Sequence, residues 1–257
     1  MNKKKAWIAA SVLSSLFAAA VYVEGTGYAP FDRESGENLL CKIDPTCRHL
    51  TPDEITLAQK YFNDSINYNS VKIFNRPVMG LFGHNTSGMS PNGNIYFADK
   101  AYRLPDFSNK NTYDQKIFIH EMTHVAQHQN GTHVPLQALL TYLTYGYKYD
   151  DAYDYRIETG APYHLMNLEQ QAEIMEDYFL ERSEFEEKTT FPSQEGPKLR
   201  YATQGIEWLK TQCKNLAQYE EKLQQKFPIK PDELCQPSDK ALHSPLVPRQ
   251  NYCLSIH

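Results

Sequence analysis

His120, Glu121 and His124, inside the run Ile117-Phe-Ile-His-Glu-Met-Thr-His-Val-Ala-Gln127, are the residues whose types and spacing point most directly to chemistry. On a helix, positions four apart share a face, so both imidazoles can reach one zinc ion. Glu121 then sits on the adjoining flank, where it can take a proton from the attacking water and hand it on to a leaving amine. His-Glu-x-x-His on a helix is the arrangement of zinc-dependent peptide-bond hydrolysis.

The elements needed to hold these residues are legible around them. Thr112 with Gln115 forms a capping pair and Asn130-Gly131 a stop signal, predicting a helix over 113–129 with the motif in its middle. Phe118, Ile119, Met122, Val125 and Ala126 make one apolar stripe; Ile117, His120, Glu121, His124, Gln127 and His128 lie on the other side. A second amphipathic helix is expected from Asn167 to Phe179, capped by Asn167 and Gln170 and packed by Leu168, Ala172, Met175 and Phe179.

A third zinc ligand has to come from elsewhere. The metzincin pattern requires Gly and His where this chain has Gln127 and Asn130, which excludes that class. On the second helix Glu173 and Asp177 are one turn apart. That spacing lets Glu173 complete a His2Glu site and Asp177 accept the free ring N–H of a ligand histidine. This arrangement resembles the gluzincin peptidases, which carry ExxxD on the helix after HExxH. Glu169, one turn earlier and equally charged, is the main rival ligand.

A narrower resemblance rests on Gly88-Met-Ser-Pro-Asn-Gly-Asn-Ile-Tyr-Phe97, Asp106-Phe-Ser108, the motif helix, Glu169-Gln-Gln-Ala-Glu173 and Asp177-Tyr178. Over residues 70–180 the chain looks like a bacterial family of HExxH proteins described as Vgr-related, some of them associated with type VI secretion loci. The resemblance implies a zinc peptidase domain and names no substrate. Ala126 stands where that family leads one to expect an aromatic residue, a departure that touches packing rather than metal chemistry.

Composition narrows the biology. Lys3 to Lys5 precede an apolar run over 6–23, and Ala18-Ala-Ala20 offers a cleavage site, so residues 1–23 read as a signal peptide or an uncleaved membrane anchor. Export to the periplasm or beyond is expected. Removing residues 1–20 takes away three lysines and no acid, moving the formal charge from −5 to −8. An acidic chain without a basic stripe disfavours nucleic acid as a partner. Five cysteines in an exported chain permit disulfides, with Cys41–Cys47 the first choice and Cys213 with Cys235 or Cys253 the second.

Along the chain, 24–50 reads as a linker, 51–227 as the catalytic domain and 228–257 as a Pro-rich tail. Thr51-Pro-Asp-Glu54 opens a helix buried through Ile55, Ala58, Tyr61 and Phe62. Val71–Phe74 and Asn94–Phe97 read as strands, with 83–93 as a long turn between them. In the zincins this chain resembles, an edge strand pairs with extended substrate, and residues 94–98 are the candidate for it; a strand serving only as a core layer fits them equally well. Pro135–Leu143 is a short helix, 145–163 a Tyr-rich loop, and 199–227 a long packing helix. His164 or a nearby tyrosine is a candidate donor to a transition-state oxyanion, with a structural role the commoner one for a lone histidine.

The expectation is a mostly helical α+β, zincin-like domain with a small sheet. It would bind zinc through His120, His124 and Glu173, use Glu121 as base, and hydrolyse a peptide, protein or cell-wall peptide. Two other roles fit the same residues: a zinc-binding protein without turnover, and a secretion-system toxin effector. The export segment weighs mildly against the second of these. An exported helical scaffold without metal is a further alternative.

Overall fold

The computed structural model describes residues 41–42, 44–78, 88–97, 104–157, 162–190, 202–231 and 235. The signal or anchor segment 1–23, most of the tail and residues 83–87 of the expected turn lie outside them. Among the described residues no helix is long and apolar enough to cross a membrane.

The molecule is mostly helical with one small sheet. Its elements in chain order are β1 (Cys47–His49), α1 (Pro52–Phe62), β2 (Lys72–Phe74), β3 (Ile95–Tyr96), α2 (Thr112–Gln129), α3 (Val134–Tyr145), α4 (Leu168–Thr190) and α5 (Ala202–Leu223). Short 3-10 turns occupy Tyr68–Ser70, Gly146–Ala152 and Tyr163–Leu165. The sheet order is β1-β2-β3, with β1 antiparallel and β3 parallel to β2. The mixed α+β class read from the sequence matches this architecture.

Local chemistry explains most boundaries. Thr51 caps α1 through the Glu54 amide, Glu54 returns the bond to the Thr51 N–H, and Pro52 occupies the first turn. Asn167 and Gln170 exchange the same pair of bonds at the start of α4. At α2 the expected Thr112–Gln115 pair is displaced by one residue: Asn111 is the cap, accepting from the Asp114 amide. Gln115 instead donates to the Ser108 carbonyl and anchors the incoming loop. Gly131, at φ +86°, lets the chain leave α2 in a conformation that costs other residues strain.

Two segments carry more structure than the sequence shows. The 24–50 segment holds a strand, β1, whose three residues pair with β2. It is too short for any alternation to show. The start of the Pro-rich tail packs on the domain, with Ile229 buried in the core and Cys235 joined to Cys213. The Cys41–Cys47 disulfide forms beside β1.

The core places α2 in the middle. Phe97, Phe107 and Phe118 stack in series from the sheet to α2, at 4.8 and 5.6 Å between rings. Tyr61 of α1 meets Tyr178 and Phe179 of α4 edge-on. Leu216, Leu223 and Phe227 close the far side as the long-helix pattern predicts. Because α4 lies along the polar side of α2, that side is covered as well. Glu121, His124 and Gln127 are buried along with the apolar stripe opposite.

Candidate metal centre

α2 and α4 run antiparallel: Glu169 lies beside His124 and His120, while Glu176 lies beside His120 and Lys116. The axial offset of the two helices decides which acid meets which imidazole. Glu169 Oε2 is 3.3 Å from His124 Nε2 and 3.6 Å from His120 Nε2. Two donors each about 2.1 Å from a tetrahedral ion are roughly 3.4 Å apart, a spacing close to both of these Glu169–histidine distances.

The other ring nitrogens have neighbours of their own. His124 Nδ1 is 2.8 Å from Gln127 Oε1, whose amide nitrogen bonds the Leu168 carbonyl and Gln171 Oε1. Gln171 in turn donates to the carbonyls of Tyr163 and Met166, fixing the loop before α4. His120 Nδ1 is 3.2 Å from Glu176 Oε2, off the line of a straight hydrogen bond. Both imidazoles therefore turn Nε2 toward Glu169 and Nδ1 toward an oxygen, the orientation that a ligand histidine needs.

The sequence-predicted residues fall as follows. His120 and His124 both reach Glu169 from α2, and Glu121 lies between them in sequence on the same helix. Glu173 does not join the two Nε2 atoms. Its Oε2 sits 3.9 Å from His120 Nδ1, on the far side of that ring. Asp177 touches neither histidine and accepts a hydrogen bond from the Tyr155 hydroxyl. The place expected for it, beside a ligand-histidine Nδ1, is filled by Glu176 and by Gln127. His120, Glu173 and Glu176 form a second cluster of metal-ligand type, but Glu176 already has the Lys116 ammonium against it. His164 is exposed, whereas the Tyr153 ring lies 6.1 Å from that of His120.

Glu121 is buried, and Ser90 Oγ donates to its Oε2 at 2.8 Å. Gly88 lies so close that a Cβ there would fall 2.7 Å from Glu121 Oε1. Both residues were inside the segment read as a turn, and no local pattern announces contact with α2.

The electrostatics follow the packing. Burial raises the Glu121 carboxyl. Burial opposes charge on His120, yet Glu169 and Glu176 outweigh it and push that imidazole up to about 10. His124 is raised against the same penalty by Glu169. Burial likewise disfavours the Glu169 carboxylate, but the two histidines hold it well below the usual range. Glu173, with burial and Glu176 both opposing its charge, is pushed up to about 7. Without metal the ionised Glu169 therefore faces histidines that favour their protonated form, and a divalent cation entering there would have to displace the His120 proton.

The edge-strand expectation shifts by one strand. Tyr96 exchanges both backbone hydrogen bonds with Met89, at 3.0 and 2.9 Å, on the side of β3 away from β2. β3 is therefore an inner strand, the segment around Met89 lies outside it, and residue 98 of the expected stretch lies outside the described residues.

No protein-family model matches the chain. Over 140 residues it is 40% identical to the type VI secretion system spike protein VgrG2b of Pseudomonas aeruginosa, a match covering 54% of this chain. The solved effector domain of P. aeruginosa VgrG2b superposes with a TM-score of 0.52 at 34% identity, covering 66% of this chain and 89% of that domain. The chain belongs to the VgrG2b effector-domain family. It spans 14% of the whole spike protein's length, so the kinship with VgrG2b is to its effector domain. This family membership agrees with the Vgr-related resemblance read over residues 70–180.

Proposed function

We propose that this chain is a type VI secretion effector that hydrolyses peptide bonds, with zinc held by His120, His124 and Glu169 and with Glu121 as general base. The observation that carries the reading is the convergence of Glu169 Oε2 on both Nε2 atoms beside a buried Glu121. The kinship with an effector domain favours the effector role over that of a resident exported peptidase. Zinc bound there would supply Lewis acidity toward the scissile carbonyl and toward water.

The protein's own residues would do the rest. Glu169 and the two imidazoles hold the ion, while Gln127 and Glu176 set the ring orientations. Glu121, its carboxyl raised by burial, accepts a proton from the attacking water and returns it to the leaving amine. An extended substrate would pair with the outer edge of the segment Gly88–Ser90, which takes the place expected of residues 94–98. The substrate is a peptide, a protein or a cell-wall peptide, met in an exported or delivered setting.

The test is zinc content of the purified protein, followed by hydrolysis of unfolded-protein and cell-wall-peptide substrates, with Glu121→Gln alongside. About one zinc per chain with turnover that Glu121→Gln abolishes is the expected result. Zinc without turnover would leave a metal-binding effector, and no zinc after reconstitution would leave a scaffold.

A further inference from the structure

Ser90 and Glu121 are 31 positions apart and come from different elements, yet the hydroxyl of one is 2.8 Å from a carboxylate oxygen of the other, and both side chains are buried. A serine hydroxyl has one proton to donate, and here it is committed to Oε2. On the Oε1 side stands Gly88, whose bare Cα leaves no room even for a methyl, since a Cβ would come within 2.7 Å of Oε1 and 2.8 Å of the carboxyl carbon. The segment carrying both residues is fixed by the paired Met89–Tyr96 backbone bonds, and β3 is tied to β2 through Phe97 N–H to the Phe74 carbonyl. The carboxylate is thus held against the sheet, not only by its own helix.

Resting on the peptidase reading above, we infer that Ser90 is a positioning residue for the Glu121 base, setting the carboxylate in one rotamer with Gly88 as its wall. Since the same segment offers the backbone edge for substrate, base and substrate take their register from one strand. A general base misplaced by a fraction of an ångström still binds substrate and metal but transfers its proton less well, so the signature is a fall in kcat with KM and zinc content unchanged.

Two measurements on the full chain test this. In metal-free protein, Ser90→Ala is expected to shift Tm in the wild-type background and to have little effect in a Glu121→Ala background. Tm shifts that simply add would show no Ser90–Glu121 contact and overturn the inference. In zinc-loaded protein, Ser90→Ala is expected to lower kcat on the order of 10- to 100-fold at unchanged KM and zinc content. Ser90→Thr should recover most of that loss, and Gly88→Ala should reproduce it from the other side of the carboxylate. Turnover unaffected by Ser90→Ala, or a change in KM alone, overturns the inference while leaving the peptidase reading intact. Absence of hydrolysis by the zinc-loaded wild type overturns both.

Discussion

Glu169 Oε2 sits 3.3 Å from His124 Nε2, across the antiparallel contact between the motif helix and α4. Glu173, one turn further along α4, instead faces the opposite nitrogen of His120. Glu169→Ala is therefore expected to strip zinc from the protein on dialysis. Glu173→Ala should retain it, because the three donors stay in place. Metal content by mass spectrometry decides between them, and zinc lost from Glu173→Ala but kept by Glu169→Ala would invert the assignment.

The residues behind the ligands carry a second expectation. Removing an orienting partner of a ligand histidine costs about 10- to 100-fold in metal affinity. Gln127→Met should weaken zinc binding by that order, since it frees His124 Nδ1 from its 2.8 Å contact. Asp177→Asn should leave zinc affinity unchanged, because Asp177 is engaged by Tyr155 and reaches neither imidazole. Competition titrations against a chromophoric chelator would measure both. Equal losses in the two variants would show that the bond network assigned to Gln127 does not orient its histidine.

Proton competition at the same site gives a pH dependence. In metal-free protein His120 is raised to about 10, so it carries a proton at neutral pH that zinc must displace. Apparent zinc affinity should climb as pH rises from about 6.5 toward 10, by up to about tenfold per unit per displaced proton. Stability of the metal-free protein should run the other way. A raised histidine contributes stability that is fully present below its unfolded value near 6.5 and is lost as pH rises through about 10. Melting curves with and without chelator across that window check both signs, and a metal-free Tm that rises with pH would contradict the charged His120–Glu169–Glu176 cluster.

How far the site could be read beforehand follows from where each contact is encoded. His120 and His124 were legible because their relation is internal to one helix. The third donor was not, because Glu169, Glu173 and Glu176 all recur at helical spacing and can share one face. Which of them meets the imidazoles depends on how far α4 slides along α2, a quantity set by tertiary packing and not by spacing within either helix. Gln127 left a signal that went unused: a polar residue on the ligand face, three positions after His124. Ser90 left none, since its partner lies on another element. β1 was invisible because three residues cannot show a period.

Glu54 illustrates the same division and yields the last expectation. Sequence assigns it to the α1 capping box, and it does accept from the Thr51 N–H at 2.9 Å. The fold adds a bidentate Arg48 guanidinium, both contacts at 2.8 Å, and the Phe107 N–H at 2.9 Å. One fully buried carboxylate thereby ties β1, α1 and the loop entering the motif helix. Arg48→Met leaves that carboxylate without its cation, a change that costs about 3–5 kcal/mol and lowers Tm on the order of 10 °C in a domain of this size. Arg48→Met combined with Glu54→Leu removes the stranded charge and should recover part of the loss. Thermal unfolding of the single and double variants is the measurement. A single variant as stable as the wild type would mean that the ion pair does not hold the loop, and that the stacking of Phe97, Phe107 and Phe118 fixes where the motif helix begins.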